Sequence, residues 1–172
     1  FCSFFPMRVA MVLAVTFAMP QSIEDLPAIL SGTPELTVSE PESGFPVIEG
    51  QTPVSAATIA LNGPQVLTWA PTDHPPVLYV SPKAKMNEGK ALRGGIPICW
   101  PWFGNHPDDP EMPAHGFART RFWELVSGEM AGKMATLVFK LVSDEETKAL
   151  FPFDFELTAT IRFADKLRVK RS

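Results

Sequence analysis

Between Ala91 and Leu125 the chain reads ALRGGIPICWPWFGNHPDDPEMPAHGFARTRFWEL, with Arg93 ahead of two glycines, His115 ahead of a third, and Arg119 beyond the histidine. Those residue types in that order suit the holding of an anionic sugar derivative. Guanidinium groups fork onto phosphate oxygens, an imidazole bonds hydroxyls, and aromatic rings stack on the apolar faces of a pyranose. Trp100, Trp102 and Phe103 supply such rings in the run CWPWFG. Glycine adopts positive φ and lets backbone approach a ligand closely. Plainer readings stand beside these. Tryptophan and proline often do no more than pack a loop, Arg119 and Arg121 could be surface charges, and His74 and His106 read as solvated loop residues.

Cys99, between Ile98 and Trp100, reads as a small buried hydrophobe rather than a reactive thiol. Paired only with the distant Cys2, it makes no disulfide framework. No Cys/His spacing of the zinc type occurs, so no metal is expected.

The segment has no helical or strand period and must be held by elements around it. The 172 residues are enough for one domain with a real core. A net charge of −4, with basic residues clustered only in the last few positions, argues against a nucleic-acid partner. The 18 prolines and 11 glycines point away from a helical bundle and toward a loop-rich β architecture.

Short strand-like stretches follow one another. ATIALNGPQVLTW predicts a hairpin, Ala57–Leu61 and Gln65–Trp69, around an Asn62-Gly63-Pro64 turn. PVLYVSP predicts a buried strand. RFWELVSGEM and KMATLVFKLV predict an antiparallel pair with its turn at Gly128–Lys133. DEETKALF predicts a short helix capped by Ser143, with Glu146 at the capping-box position. In DFELTATIRF, Phe155, Leu157, Ala159, Ile161 and Phe163 alternate with polar residues, the pattern of a half-buried strand. The fold class expected is all-β, an antiparallel β-sandwich.

The amino-terminal 35 residues are expected to be a poorly ordered leader, with the ordered domain running from Leu36 to Ser172. A short helix is predicted at Ser22–Leu30, capped by Ser22 and with Asp25 in its first turn. The apolar run Val9–Ala18 after Arg8 is too short to span a bilayer, so no membrane partner is expected. It reads either as a secretory signal starting at Met7 or as upstream sequence ahead of a start at Met19. The second reading is preferred and implies a cytoplasmic protein. At the other end, ADKLRVKRS begins what reads as a further strand. A sandwich stopping there is expected to be truncated, with Phe155, Leu157, Ile161 and Phe163 under-covered.

LRGGIPICWPWFG followed by PAHGFARTRFWEL closely resembles the glucose-6-phosphate 1-epimerase family, the hexose-6-phosphate mutarotases of the galactose-mutarotase-like superfamily. GPQVLTWAP and DEETKALFPFDFELTATIRF extend the resemblance over roughly residues 45–165. It implies a large antiparallel β-sandwich that interconverts the α and β anomers of a hexose 6-phosphate without metal or organic cofactor. It also implies that Arg93 contacts substrate, that His115 hydrogen-bonds the sugar, and that Arg119 meets the phosphate. Ala114 stands where some members carry a substrate-binding glutamine. The family's general-acid histidine, its substrate-binding aspartate and its general-base glutamate belong to later motifs that this sequence does not contain. The resemblance therefore implies an amino-terminal portion with the binding wall and without the proton-transfer pair. The alternatives are a non-catalytic sugar-phosphate-binding β-sandwich module, or an interaction β-domain without a ligand.

Overall fold

A computed structural model of the chain describes residues 23–40, 46–81, 84 and 90–172. The predicted cap Ser22 and the leader before it lie outside the described residues. Two four-stranded antiparallel sheets stack face to face, as the strand patterning predicts. The first is a meander of β1 (Leu36–Ser39), β2 (Val47–Thr52), β3 (Ser55–Ala60) and β4 (Gln65–Pro71). The second is a meander of β5 (Glu124–Ala131), β6 (Met134–Val142), β7 (Glu156–Phe163) and β8 (Leu167–Arg171). Each strand is short, β-branched or alternating, and closed by turn residues. Thr52, for example, accepts the backbone N–H of Ser55 at 2.9 Å through its hydroxyl and so folds β2 back onto β3.

The core lies between the sheets. Ile48, Ala57 and Ile59 from the first sheet meet Leu137, Phe139, Ile161 and Phe163 from the second. Gly50 makes the closest approach possible: a methyl group there would enter the Phe163 ring. The absent side chain on β2 is the space that the ring on β7 fills. Gly128 does the same for Leu30, whose side chain occupies the place of a Cβ. Leu30 follows a short helix α1 (Leu26–Ile29), itself preceded by a 3₁₀ turn at Ile23–Asp25. A second, smaller cluster of Val47, Ala60, Leu67 and Leu92 closes part of the outer face of the first sheet. Among the described residues no helix is long and apolar enough to cross a membrane.

Several sequence expectations need correction. Leu26 and Leu30 are buried in the core, so packed structure reaches further toward the amino terminus than Leu36. Residues 36–52 contain two strands that their Pro- and Glu-rich surroundings concealed. PVLYVSP is not a buried strand: Val77 and Tyr79 are 63% and 72% exposed, and only Val80 forms a bridge, with Gly94. Two prolines ahead of Val77 remove the donors a central strand needs. The β5–β6 turn is at Gly132-Lys133, and Gly128 lies within β5, where space rather than chain reversal explains it. Leu157, Ile161 and Phe163 are covered by the first sheet, not left bare as expected. Phe155 is half-buried against Trp100 and Phe117.

If the Phe163–Gly50 contact joins the two layers, Phe163→Ala leaves a cavity that flanking strands cannot fill. We expect a loss of about 3–5 kcal/mol of unfolding free energy in urea titration. A loss under about 1 kcal/mol would show that the layers can close over the gap.

Candidate functional site

The loop that carries Arg93, His115 and Arg119 is fastened to one hairpin at both ends. At its entry, Leu92 is buried in the smaller cluster. Gln65, at the start of β4 and fully buried, directs its amide nitrogen at the carbonyl oxygens on either side of Arg93, Gly94 at 2.5 Å and Leu92 at 3.4 Å. Ile96 N–H then donates to Val66 O at 2.9 Å. Gly94 and Gly95 have φ of +122° and +62°. A side chain on Gly95 would strike the Val66 carbonyl, and one on Gly94 the backbone of Tyr79 and Val80. The glycines of the RGG motif are therefore required by the neighbouring backbone itself, whatever ligand they also admit.

At the exit, the same hairpin receives the chain a second time. Gly63 N–H donates to Arg121 O at 2.8 Å, and Trp123 N–H donates to Leu61 O at 3.3 Å. Gly63, with φ +68°, lies so near the Arg119 backbone that a Cβ would meet Arg119 Cα at 2.6 Å. The fully buried Trp123 donates from its indole to Ala118 O at 2.9 Å and ends the loop. The backbone of Arg93 rests on Gln65 and that of Arg119 rests on Gly63, two residues apart on one turn.

His115 lies between these anchors. It has φ +65°, a left-handed conformation that few residues other than glycine adopt, and Gly116 follows at +69°. Gly116 packs on the cis peptide between Trp100 and Pro101, where a Cβ would collide with the Trp100 carbonyl. Trp100 O in turn accepts Phe117 N–H and Ala118 N–H at 3.0 and 3.2 Å. The His115 ring is fixed from its other side. Gly104 N–H donates to His115 Nδ1 at 3.1 Å, and the Phe103 ring stands edge-on at 4.7 Å. An accepting Nδ1 places the proton of a neutral imidazole on Nε2, which makes His115 a hydrogen-bond donor toward a ligand.

Arg119 is half-buried and donates from Nη2 to Ala114 O at 2.7 Å. Its Nε is buried without a partner. The Ala114 carbonyl thus positions the guanidinium. Arg93 has an exposed side chain on a clamped backbone. Phe103, beside His115, is 82% exposed and offers a bare ring face. The structure thus brings His115 and Arg119 into one turn of the loop, and brings the Arg93 backbone to the hairpin that holds them.

Other candidates fall differently. His74 is exposed, as expected. His106 is not merely solvated: its Nδ1 accepts Asp108 N–H and Asp109 N–H, both at 3.2 Å, and its ring packs on Trp102 at 4.6 Å. It is a turn-forming residue. Cys99 is a half-buried free thiol. An open depression of about 370 Å³ lies elsewhere, on the outer face of the first sheet, and contains none of the loop residues. Among the described residues no group of three His, Cys, Asp or Glu is placed to hold a metal ion.

The loop exit is also tied to a helix. Arg121 bonds Glu146 at 2.5 Å, on α2 (Glu145–Leu150) between β6 and β7. The cap of α2 is Asp144 rather than Ser143, because Asp144 and Thr147 exchange hydrogen bonds at 2.7 and 2.8 Å. Partial burial works against the Asp144 carboxylate, but the hydrogen bonds from Thr147 and the charge of Arg121 outweigh it and hold its pKa below the usual carboxylate value.

The residues around this loop match known proteins. Residues 46–171 match the family described as aldose 1-epimerase. The chain belongs to that family. A putative glucose-6-phosphate 1-epimerase of Escherichia coli (strain K12) is 42% identical over 110 residues, 64% of this chain and 37% of that protein. The protein of the same description from Salmonella typhimurium (strain LT2) is 37% identical over 144 residues, 84% of this chain and 48% of that one. The chain thus spans about half or less of the length of these curated relatives. Among solved structures, a putative mutarotase from Salmonella typhimurium superposes with a TM-score of 0.75 at 34% identity, over 81% of this chain and 48% of that chain. A galactose mutarotase-like protein from Clostridium acetobutylicum, 12% identical with a TM-score of 0.51 over 79% of this chain and 47% of that one, shares the fold alone.

Sequence reasoning missed Gln65 and the anchoring role of Gly63. The available signal for the first was a lone amide on a strand of otherwise apolar, inward positions.

Two outcomes follow. Nitrogen-15 NMR of the neutral His115 imidazole should show its proton on Nε2 rather than Nδ1; the opposite tautomer would free Gly104 and undo the geometry. For Asp144, a lowered folded-state pKa means the cap stabilises α2 fully above the unfolded value of about 3.9 and is lost as pH falls through the lower folded value. Amide protection of α2 should drop over that acidic window, and Asp144→Asn, which still caps, should flatten the dependence.

Proposed function

We propose that this chain supplies the substrate-holding wall of a hexose-6-phosphate 1-epimerase. Membership of the aldose 1-epimerase family supports the reaction class, and the two relatives' names support a phosphorylated hexose as the substrate. In such anomerisation a base takes the C1 hydroxyl proton while an acid protonates the ring oxygen; the ring opens, C1–C2 rotates and the ring recloses. The observation that carries the reading is the double fastening of the loop to the Leu61–Val66 turn, which rests the two arginine backbones on residues two apart in one turn.

Arg119 holds the phosphate. Its Nη2 is committed to Ala114 O, which fixes the plane of the guanidinium and so the direction of its remaining outward N–H groups. Arg93 contributes a second positive charge to the substrate. His115 donates Nε2–H to a sugar oxygen, a role consistent with its Nδ1 being engaged by Gly104. None of the three shuttles both protons: an arginine stays protonated in proteins, and one histidine is one titratable group. The polypeptide of 172 residues therefore binds hexose 6-phosphate and does not turn it over.

The test pairs calorimetric titration with exchange NMR of the two anomers. Glucose 6-phosphate should bind, and Arg119→Ala should weaken it roughly 10–100-fold, the worth of a charge-assisted hydrogen-bonded contact. Anomer exchange should run at the buffer rate. Catalysis abolished by His115→Ala would contradict the assignment of roles, and binding indifferent to Arg119→Ala would remove the substrate.

A further inference from the structure

We infer that Phe151, the residue that ends α2, is a positioning residue for His115 and Arg119 and acts on them through Trp100. The inference rests on the reading that those two side chains hold the substrate. Residues 143–155, between β6 and β7, are more than a chain reversal needs, since a loop of about two residues joins antiparallel strands. The excursion is braced against the functional loop on both sides of the site. Phe151 and Phe155 meet the Trp100 ring ahead of His115, with centroids 5.1 and 4.5 Å from it. Glu146 bonds Arg121 just beyond Arg119.

Trp100 is committed through both of its halves. While its ring meets the phenylalanines, its carbonyl accepts the N–H groups of Phe117 and Ala118, and its backbone bridges Gly116. Gly116 lies so near that no Cβ would fit between them. The chain from His115 to Arg119 therefore rests on the Trp100 peptide, and a shift of the indole passes to it with little slack. His115 registers such a shift on its other side, where it exchanges hydrogen bonds with Gly104. His115 N–H donates to Gly104 O at 2.6 Å, and Gly104 N–H donates to His115 Nδ1 at 3.1 Å.

The support for the indole comes from outside the loop. Phe117 also touches the ring, but it belongs to the loop and moves with it. Phe155 packs on the main core as well, which leaves Phe151 as the contact whose effect is separable from the core. The Phe151 ring is held firmly. Its N–H donates to Thr147 O at 2.8 Å, and Thr147 is fully buried and shares the capping box with Asp144. Ser143 N–H donates to Phe155 O at 3.0 Å, and Lys148 pairs with Asp154 at 2.7 Å, so the excursion closes on itself. The Arg121–Glu146 pair is the weaker brace, because the Glu146 side chain is 77% exposed and solvent screens the pair. Packed aromatic edge contacts add to the effect of area burial, so the ring contact dominates.

The experiment follows two readouts on the full chain: glucose 6-phosphate affinity by calorimetry, and the neutral His115 imidazole by nitrogen-15 NMR. Phe151→Ala should weaken binding about two- to tenfold, the size of an aromatic edge contact, and should mix the two tautomers of His115. Phe151→Leu keeps bulk and loses the ring. It should move both readouts the same way, which tests the idea even if the alanine variant folds poorly. Phe151→Tyr keeps the ring and should leave both readouts near those of the unaltered chain. Ile161→Val trims the core between the sheets and should lower stability without moving either readout. A His115 signal or an affinity unmoved by both Phe151→Ala and Phe151→Leu would overturn the proposal. So would Phe151→Tyr proving as disruptive as Phe151→Ala, or the same changes arising from Ile161→Val. If the unaltered chain binds no glucose 6-phosphate, the functional reading fails, and the His115 signal alone still decides the positioning.

Discussion

The arrangement of the candidate site depends on one tight turn, Leu61 to Val66, accepting the chain twice. Backbone hydrogen bonds from Gly63, Trp123 and Ile96, and the buried amide of Gln65, fix residues 92–96 and 119–123 to it. A loop of more than twenty residues between those points costs entropy to close, but the cost grows only slowly with length. Two fixed ends and the aromatic packing of Trp100 against Phe117 and Phe155 are enough to hold it in shape. Take the turn away and both ends of the loop, residues 92–96 and 119–123, lose their shared anchor.

The turn is held in place by the sandwich. β3 and β4 are central to the first sheet's inner and outer packing: Ile59 faces the main core, while Ala60 and Leu67 close the outer cluster with Leu92. Burial on both faces leaves the hairpin little freedom to shift register, since a one-residue slip would turn each buried side chain outward. The glycines follow from the same crowding. At Gly63, Gly95 and Gly116 a side chain would run into backbone, not into another flexible side chain. The rigidity that positions the arginines and the bareness of these three positions are one feature.

Much of this was legible in the sequence because its signals are local. Strict alternation marked β7, and the Asn62-Gly63 turn marked the β3–β4 hairpin. The order of LRGGIPICWPWFG and PAHGFARTRFWEL marked the loop. What failed was non-local. Gly128 reads as a turn residue until the Leu30 side chain is seen to need its space, and nothing local marks Gly50 as the room that the Phe163 ring fills. PVLYVSP has a strand's composition, yet the prolines before Val77 and the pull of Gly94 on Tyr79 and Val80 leave it as an exposed strap. Gln65 reads as an interruption in an apolar strand, and only its partners 27 and 29 residues away show what it does. The capping residue of α2 shifted by one, from Ser143 to Asp144, because two adjacent residues could each accept the N–H and Thr147 favoured the second.

The central claim, that one turn brings Arg93 and Arg119 to one ligand, is tested most directly by a double-mutant cycle. Binding of glucose 6-phosphate would be measured for the chain, for Arg93→Ala, for Arg119→Ala and for the pair. Two groups engaging the same small anion are coupled, so the combined loss should depart from the sum of the single losses by about 0.5–3 kcal/mol. Strictly additive losses, or a loss from only one of the two, would mean that the arginines serve different places and that the double fastening of the loop has another purpose.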